Sequence, residues 1–282
     1  MRGLWKIVLV AAMLVGCSRR AEFNVASFNI RYAAAADAKQ GDGWDERKDD
    51  VARVITENGF DIVGTQEGNS KQIEDLKALL PDYDCTGHPY GGKSGKSHTA
   101  TIFYNREKFE LLEDGTFWYS PTPEVESIGW DASDLRLCHW GEFRDKASGR
   151  EFYFFNSHLY WRKLTARANS GKVHNQMIQK IAGDKPVISV GDFNSTEDEQ
   201  QIVDVIAMFG DAYHITATPP QGVAETNLGG GNFIGPPKNR IDFIFVSPKV
   251  KVQSYASIED RCSDSDHYPS DHLPVVSRIR VK

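Results

Sequence analysis

Residues 136–159, RLCHWGEFRDKASGREFYFFNSHL, contain the pattern that decides the fold class. Two β-rich segments, 136–145 and 151–159, flank the turn sequence Lys-Ala-Ser-Gly at 146–149, and this arrangement predicts a long β-hairpin. Predicted strands outnumber predicted helices along the chain and do not strictly alternate with them. The pattern therefore favours an α+β sandwich of sheets over a doubly wound parallel sheet.

Outward from this hairpin, apolar runs and helical spacing predict the remaining elements. Further strands are predicted at residues 23–30, 61–65, 99–104, 186–190, 240–246, 250–258 and 274–281. Helices are predicted at residues 44–58, 70–80 and 165–181 and near 197–209. A mobile surface loop is predicted at 87–97 and a Gly/Pro-rich loop at 219–237. Because no internal repeat and no Pro- or Ser-rich linker divides the chain, one folded domain is expected over residues 23–282.

The composition is typical of a soluble globular protein. The 282 residues are 40% hydrophobic and 26% charged, and 33 Lys and Arg against 39 Asp and Glu give a formal net charge of -6. This charge disfavours a strongly basic protein that coats nucleic acid. The composition as a whole excludes a polytopic membrane protein, and the length allows a sizeable core.

The first residues are typical of an export signal. Two basic residues precede an apolar stretch at 7–15, which is too short to span a bilayer as a stable helix. The stretch ends in Leu-Val-Gly-Cys, which resembles the bacterial lipoprotein box; the alternative is a plain secretory signal with an incidental cysteine. We interpret residues 1–16 as a lipoprotein signal peptide, Cys17 as the lipidated residue and 17–22 as a short tether. The expected location is the bacterial cell envelope, with the protein exported and lipid-anchored at the periplasmic or the surface face.

The remaining cysteines are Cys85, Cys138 and Cys262. They are widely scattered and lack the close Cys-x-x-Cys spacing that is typical of structural zinc sites. The sequence therefore predicts no structural zinc site and at most one disulfide.

Polar residues recur at the ends of the predicted strands. They are Asn29, Glu67, His158, Asp192, Asn194, Asp242, Asp271 and His272. The strand ends of a rigid scaffold can direct side chains from distant parts of a chain into one cleft. Each residue alone also fits a turn, a helix cap or a solvated surface. Together, carboxylates and amides with hard oxygen atoms and two histidines are what a Mg²⁺-assisted attack on a phosphoester requires.

Six short motifs contain these residues and occur in one order along residues 27–274. They are Ser27-Phe28-Asn29, Thr65-Gln66-Glu67, Asn156-Ser157-His158, Gly191-Asp192-Phe193-Asn194, Arg240-Ile241-Asp242-Phe243 and Ser270-Asp271-His272-Leu273-Pro274. In this set the chain resembles the metal-dependent endonuclease/exonuclease/phosphatase superfamily, which includes pancreatic-type deoxyribonuclease. The resemblance implies a four-layer α/β/β/α sandwich of the DNase I-like type, in which helices flank two packed mixed β-sheets. Segments 115–120 and 129–131 also resemble a secreted bacterial branch of the family.

The resemblance implies a Mg²⁺ cofactor, with Mn²⁺ as the alternative metal. Glu67 corresponds to the principal metal ligand of the family, and Asn29 and Asp271 correspond to residues that assist it. Carboxylate and amide oxygens are the ligands that these cations prefer, so the residue types agree with the implied role.

The resemblance also implies catalytic roles for five residues. Asp192 corresponds to the residue that orients or deprotonates the attacking water, and Asn194 to the neighbour that steadies the phosphate. His272 corresponds to the imidazole on the scissile phosphate, oriented and charge-stabilised by Asp242. His158 would bracket the phosphate from the other side. A carboxylate beside an imidazole raises its basicity and fixes its tautomer, as the pairing of Asp242 with His272 requires.

Two positions depart from the family pattern. Nuclease members often place a Glu, which pairs with the first catalytic histidine, where this chain has Ser97-His98, so His158 is expected to lack a carboxylate partner. Polar residues that commonly follow that histidine are replaced by Tyr160-Trp161. These two rings are candidates for substrate contact, by stacking on a base or sugar or by touching a lipid, and the alternative is that they fill the core.

Six further histidines match none of the motifs. They are His88, His98, His139, His174, His214 and His267. Because no spacing among them suggests a site, they are interpreted as surface or satisfied core residues.

These observations predict a Mg²⁺-dependent phosphoesterase, and most directly a phosphodiesterase acting on nucleic acid or nucleotide-like substrates. A second hypothesis is a sphingomyelinase, another phospholipid phosphoesterase or an inositol-phosphate phosphoesterase. A third is a non-catalytic binding lipoprotein on the same fold. The negative net charge predicts weak non-specific binding to long nucleic acid. A monomer without an obligate protein partner is expected. The sequence leaves the substrate open.

Overall fold

The computed structural model describes residues 20–91 and 97–282 of the chain. The predicted signal peptide, Cys17 and the first part of the predicted tether lie outside the described residues. Among the residues that are described, no helix is long and apolar enough to cross a membrane. The three cysteines within these ranges are all free, so none of them contributes a disulfide to the fold.

Strands and helices follow one another in an irregular order along the chain. The strands are Ala21–Asn29 (β1), Ile62–Gly68 (β2), Tyr83–Tyr90 (β3), His98–Asn105 (β4), Phe109–Trp118 (β5), Leu137–Asp145 (β6), Glu151–His158 (β7), Val187–Asp192 (β8), Gly210–Asp211 (β9), Asp242–Val246 (β10), Val250–Ser257 (β11) and Val275–Val281 (β12). The helices are Ala35–Ala38 (α1), Trp44–Glu57 (α2), Ser70–Leu79 (α3), Leu164–Ala182 (α4), Gln200–Ile206 (α5) and Ala212–Ile215 (α6). Strands are more numerous than helices and do not strictly alternate with them, as predicted.

In the described part of the chain, the strands form two six-stranded mixed sheets. The first has the strand order β11-β12-β1-β2-β4-β3 and the second the order β5-β6-β7-β8-β10-β9. Each sheet has a parallel pair at its centre, β1 with β2 and β7 with β8. Their outer neighbours β12, β4, β6 and β10 run antiparallel to them. Because parallel strands end at the same edge of a sheet, the carboxyl ends of each central pair present their polar residues together.

Phenylalanine side chains fill much of the space between the two sheets. The ring centroid of Phe23 on β1 lies 4.9 Å from that of Phe109 on β5 and 4.8 Å from that of Phe152 on β7. The other face of the first sheet packs against α2 and α3, and the other face of the second packs against α4 and α5. Burial of these apolar faces holds the layers together. The predicted four-layer α/β/β/α sandwich is therefore confirmed.

A buried polar contact joins the two sheets near the carboxyl ends of their central strands. The Asn156 side chain on β7 donates hydrogen bonds to the carbonyl oxygens of Thr65, at 2.9 Å, and Thr101, at 3.0 Å. Its Oδ1 accepts a hydrogen bond from Gln66 Nε2 at 2.7 Å. A Cβ added at Gly64 would lie 2.7 Å from the Asn156 side chain, so only glycine allows this close approach. The contact fixes the position of one strand end relative to the other.

Most of the predicted elements are present; the departures are at strands on the sheet edges and at the two short helices α1 and α6, which were not predicted. The four predicted helices correspond to α2, α3, α4 and α5. The prediction of a loop at 87–97 is wrong for residues 87–90, which belong to β3 and pair with β4; residues 92–96 lie outside the described ranges. The sequence pattern also does not predict β5. Both β3 and β5 are edge strands, in which fewer side chains are buried and the alternation of polar and apolar residues is weak.

Candidate active site

The residues singled out from the sequence meet at the carboxyl-end edge of the two central strand pairs. Asn29, His158 and Asp192 end β1, β7 and β8, Glu67 lies next to the end of β2, and Asp242 begins β10. Asp271 and His272 lie shortly before β12. The hydrogen bonds and ion pairs described below link them into one cluster.

The Asn29 side chain bridges two carboxylates. Its Nδ2 donates to Glu67 Oε1 at 3.2 Å and to Asp192 Oδ2 at 2.9 Å, and its Oδ1 accepts from the backbone N–H of Arg31 at 3.0 Å. Glu67 has a φ of 69°, a left-handed conformation that is uncommon for residues other than glycine and typical of functional sites. In this arrangement Asn29 faces both carboxylates with its NH₂ group, so it holds them in place while its oxygen is used by the backbone.

Glu67 keeps its negative charge at neutral pH. Burial opposes ionisation, but electrostatic interactions with His98, His272 and Arg31 outweigh this effect and lower the pKa of Glu67 below its ordinary value. Its Oε2 also accepts a hydrogen bond from the backbone N–H of Tyr32 at 3.2 Å. The site therefore contains an anionic and partly exposed carboxylate.

Asp192 is a buried carboxyl group with a strongly raised pKa. Its Oδ1 accepts from the backbone N–H of Asn194 at 2.9 Å, and Asn194 itself has a φ of 50°. Burial raises the pKa of Asp192 to about 7; the charge of His272 opposes this shift and the charge of Asp242 adds to it. A carboxyl group with a pKa near 7 can exchange a proton at neutral pH.

The Asn194 side chain is hydrogen-bonded to the protein backbone. Its Nδ2 donates to the carbonyl oxygen of Leu159 at 3.0 Å, which ties the turn after β8 to the end of β7. The preceding Gly191 is required for the same close approach, because a Cβ there would lie 2.2 Å from the Ser157 carbonyl oxygen.

His272 and Asp242 form a buried hydrogen-bonded pair. His272 Nδ1 lies 2.9 Å from Asp242 Oδ2, which also accepts from the Thr226 hydroxyl at 2.5 Å. Burial opposes the charged imidazole, but the carboxylates of Asp242 and Asp192 outweigh burial and raise the pKa of His272 well above its ordinary value. His272 Nε2 lies 3.8 Å from Asp192 Oδ2. The site therefore holds an imidazolium next to the candidate base.

Asp271 stands on the side of the cluster nearest Arg31. Its Oδ2 accepts from the backbone N–H of Gly231 at 2.7 Å and lies 3.4 Å from Arg31 Nη1. Its Oδ1 is buried and has no hydrogen-bond partner among the described residues. Burial raises the pKa of Asp271, although His272 opposes the shift. An unpartnered buried carboxylate oxygen is costly unless something else binds it.

Within residues 20–91 and 97–282, no carboxylate lies at His158 Nδ1. That nitrogen lies 2.5 Å from the Tyr90 hydroxyl and 3.3 Å from Arg136 Nη1, and Nε2 lies 3.5 Å from Asp192 Oδ2. Burial and the positive charge of Arg136 lower the pKa of His158 well below its ordinary value. The two histidines of the site therefore differ in charge at neutral pH, with His158 neutral and His272 positive.

The two aromatic residues that follow the site have different environments. Tyr160 is 2% exposed, and its hydroxyl lies 3.0 Å from the Ser133 hydroxyl. Trp161 is 50% exposed, and the Arg162 guanidinium carbon lies 4.1 Å from its ring centroid. Tyr160 therefore fills the core, which was the alternative interpretation, and Trp161 alone is available to a substrate.

Several residues that match no motif belong to the site. His98, which was interpreted as a surface or satisfied core residue, is half-buried beside Glu67: its ring stacks on Tyr32, with 5.1 Å between centroids, and it contributes to the lowered pKa of Glu67. The departure at residues 97–98 is the signal that could have identified it. No sequence signal pointed to Tyr90 or Arg136. Tyr90 lies in a segment predicted as a loop, and Arg136 belongs to none of the six motifs.

The endonuclease/exonuclease/phosphatase family model matches residues 21–272. The chain belongs to this family. It is 35% identical to an endonuclease/exonuclease/phosphatase family protein of Bacteroides thetaiotaomicron whose crystal structure superposes with a TM-score of 0.85, over 94% of this chain and 99% of that one. It is also 35% identical to the B. thetaiotaomicron mannosyl-6-phosphatase, with a TM-score of 0.83 over 91% of this chain and 99% of that one. The uncharacterized protein L388 of Acanthamoeba polyphaga mimivirus is 27% identical over 249 residues, which cover 83% of this chain and 91% of the relative.

Membership of the endonuclease/exonuclease/phosphatase family makes the chain a metal-dependent hydrolase of phosphoester bonds. The residues present fit a divalent cation. Carboxylate oxygens of Glu67 and Asp192 lie within 4.8 Å of each other, as do those of Asp192 and Asp242. The raised pKa of Asp192 and the orphaned Oδ1 of Asp271 both indicate negative charge without full compensation. Mg²⁺ and Mn²⁺ prefer such carboxylate oxygens and would offset their repulsion.

Proposed function

We propose that the protein hydrolyses phosphate esters by attack of a water molecule that Asp192 activates. The position of Asp192 carries this proposal. Its Oδ2 lies 2.9 Å from Asn29 Nδ2, 3.5 Å from His158 Nε2 and 3.8 Å from His272 Nε2. A general base is most effective when its pKa is close to the working pH, and Asp192, with a pKa of about 7, meets this condition.

His272 has the charge and the position to act on the phosphate. With Nδ1–H held by Asp242, Nε2–H is the donor that would stabilise a phosphoryl oxygen as negative charge develops there; in the structure Nε2 lies 2.8 Å from the Asn227 side chain, which the phosphate would replace as its partner. When water oxygen attacks phosphorus and its proton passes to Asp192, the bond from phosphorus to the ester oxygen breaks. His272 has a proton to give to that leaving oxygen.

Glu67 and Asp271 are the carboxylates that would hold the cation. A bound Mg²⁺ or Mn²⁺ supplies positive charge that neutralises the phosphate. Glu67 suits this role because its pKa is lowered and the group is anionic, and Asp271 offers an oxygen without a protein partner among the described residues. Asn29 holds Glu67 and Asp192 in a fixed relation.

For the substrate, we propose a small phosphate ester, with sugar phosphates as the first class. The similarity to a mannosyl-6-phosphatase at 35% identity supports this choice. The net charge of -6 also supports it, because a long nucleic acid gains little affinity from an acidic protein. Trp161 follows His158 by three residues and is half exposed, which makes it the candidate for stacking on a sugar ring. The same exposed ring favours a phosphodiester of nucleic acid as the second candidate, because bases also stack on tryptophan.

A substrate screen separates these candidates. Purified protein is assayed with mannose 6-phosphate, p-nitrophenyl phosphate, bis(p-nitrophenyl) phosphate, single-stranded DNA, RNA and sphingomyelin vesicles, in Mg²⁺, Mn²⁺ or chelator. We expect phosphate release from the sugar phosphate, abolished by chelator. Trp161→Ala should raise its KM about tenfold with kcat unchanged, and Leu164→Ala, exposed on the same segment, should not.

The outcomes of the screen are distinct. Cleavage of DNA or RNA without release of phosphate from the sugar ester would select the second candidate. Cleavage of sphingomyelin alone would select a lipid phosphoesterase. Failure on every phosphoester, with intact folding and ligand binding, would support a binding lipoprotein.

We also propose that the protein is exported, lipidated at Cys17, anchored to the cell envelope and monomeric. The Leu-Val-Gly-Cys sequence after the apolar stretch supports export and lipidation. In a bacterial host, the full chain should partition with membranes and Cys17→Ser should remain unprocessed and unlipidated in metabolic palmitate labelling. Cys262→Ser is the matched control. Equal labelling of the Cys17→Ser variant and the original chain would refute the anchor.

A further inference from the structure

The Nδ1 atom of His158 is approached by two protein donors. The Tyr90 hydroxyl lies 2.5 Å from it and Arg136 Nη1 lies 3.3 Å from it. All three side chains are buried, with Tyr90 and His158 each 2% exposed and Arg136 9% exposed. The Tyr90 and His158 rings also meet edge to face, with 5.7 Å between their centroids. The environment of this nitrogen is therefore set by the protein and not by solvent.

The chemistry of these partners determines which nitrogen carries the proton. An arginine guanidinium has no acceptor, so Nδ1 must offer its lone pair to Arg136. The Tyr90 oxygen accepts the backbone N–H of Glu67 at 3.4 Å, which leaves the hydroxyl hydrogen for His158. With Nδ1 as an acceptor, the proton of the neutral ring is on Nε2, and Nε2 lies 3.5 Å from Asp192 Oδ2.

This arrangement differs from a histidine paired with a carboxylate. A carboxylate at Nδ1 accepts a hydrogen bond from the ring N–H and favours the imidazolium, as Asp242 does for His272. Two donors at Nδ1 do the reverse. Since Asp192 Oδ2 lies within 4 Å of both His158 and His272, two imidazoliums here would repel each other. A neutral His158 avoids this repulsion and remains a hydrogen-bond donor.

We propose that Tyr90 is a positioning residue that, together with Arg136, takes the place of a carboxylate partner and holds His158 as the neutral Nε2–H tautomer, aimed at the phosphate beside Asp192. The proposal makes Tyr90 part of a hydrogen-bonded chain from the Glu67 backbone to His158, whose Nε2 faces Asp192 Oδ2 at 3.5 Å. Its effect on the reaction rests on the proposed function, whereas the tautomer does not.

The tautomer is measured first, without substrate or metal. The full chain is labelled with ¹⁵N-histidine, and His158→Gln identifies the His158 signals by their loss. At pH 7 the ring ¹⁵N–¹H correlations of His158 should show an acceptor Nδ1 and a protonated Nε2. A proton on Nδ1, or on both nitrogens, would overturn the proposal even if the enzyme is active. The predicted pattern in a protein that cleaves no phosphoester would leave it standing while the proposed function fails.

The kinetic test removes one oxygen atom. Tyr90→Phe should lower kcat about tenfold or more with KM within about twofold, because His158 is no longer fixed where it acts in the transition state. Tyr83→Phe is the matched control: it lies on the same strand, and its hydroxyl bonds to the Phe60 carbonyl oxygen at 2.7 Å, away from the site. Unchanged kcat in Tyr90→Phe would refute the positioning role of the hydroxyl. An equal loss of kcat in Tyr90→Phe and Tyr83→Phe would show that the hydroxyl has only a structural role.

Discussion

Replacement of Asp192 by asparagine should lower kcat by about 10³-fold, the central value for loss of a general base. The amide cannot take a proton from the attacking water. It also cannot satisfy both of its neighbours, because Asn194 N–H and Asn29 Nδ2 each donate to one carboxylate oxygen. The measurement is steady-state kinetics on whichever phosphoester the screen identifies. Asp198→Asn, an exposed acid shortly after β8, should retain full activity.

The pH dependence of the same enzyme gives a second measure of Asp192. A general base works only when it is unprotonated, so kcat/KM should fall as the pH decreases through the pKa of this group. Burial raises that pKa to about 7 in the protein alone, and a bound cation lowers it. The acidic limb should therefore lie at or below pH 7 and move with the metal. If the residual activity of Asp192→Asn kept the same limb, the limb would belong to another group and the base assignment would be wrong.

Replacement of Glu67 by glutamine should weaken the binding of Mg²⁺ and Mn²⁺ by about 100-fold or more, since loss of groups that only support a metal ligand already costs 10–100-fold. The anionic charge of Glu67 is lost, while the amide keeps the size of the side chain and its contact with Asn29. Calorimetric titration with Mn²⁺ measures the affinity directly, and activity at increasing Mg²⁺ measures its consequence.

A matched variant makes the result on Glu67 specific. Glu74→Gln removes a carboxylate from α3 that pairs with Lys77 on the surface, and it should bind the metal like the original chain. Equal affinity in Glu67→Gln and Glu74→Gln would exclude Glu67 as a metal ligand. Asp192 and Asp271 would then be the carboxylates to replace next.

The sequence was most informative where strands are central and their ends carry polar residues. The motif at residues 191–194 follows a largely apolar run, Val-Ile-Ser-Val at 187–190, and such a run is typical of a strand buried on both faces. The structure places Asp192 and Asn29 2.9 Å apart although they are 163 residues apart in sequence. The order of the motifs indicated that such distant residues belong to one site.

The edges of the sheets were less predictable. Strand β3 contains Gly87 and Pro89, residues that normally indicate turns, and its side chains alternate only weakly in burial. Its backbone hydrogen bonds to β4 determine its extended conformation. The local sequence of β3 does not indicate those hydrogen bonds. Because residues 87–90 of β3 were predicted to be part of a loop, Tyr90 at the end of this strand was overlooked as a partner of His158.

Neighbouring aromatic residues also could not be distinguished from sequence. Tyr160 and Trp161 have similar apolar character, and which of the two faces solvent depends on how the chain turns between β7 and α4. The buried Tyr160 hydroxyl is satisfied by Ser133, a contact between segments 27 residues apart. Only the tertiary structure shows that Trp161 is the exposed ring.

Strand β1 begins at Ala21, which pairs with Val281, and ends at Asn29, which is hydrogen-bonded to Asp192. At about 3.3 Å per residue the two ends lie roughly 26 Å apart. Only residues 18–20 separate Cys17 from β1. A lipid on Cys17 would therefore attach the molecule to the bilayer at the Ala21 end of β1, and the active site at the Asn29 end would face away from the membrane. Dissolved esters would then reach the active site freely, whereas lipid headgroups of the anchoring membrane would lie at the opposite end of the molecule.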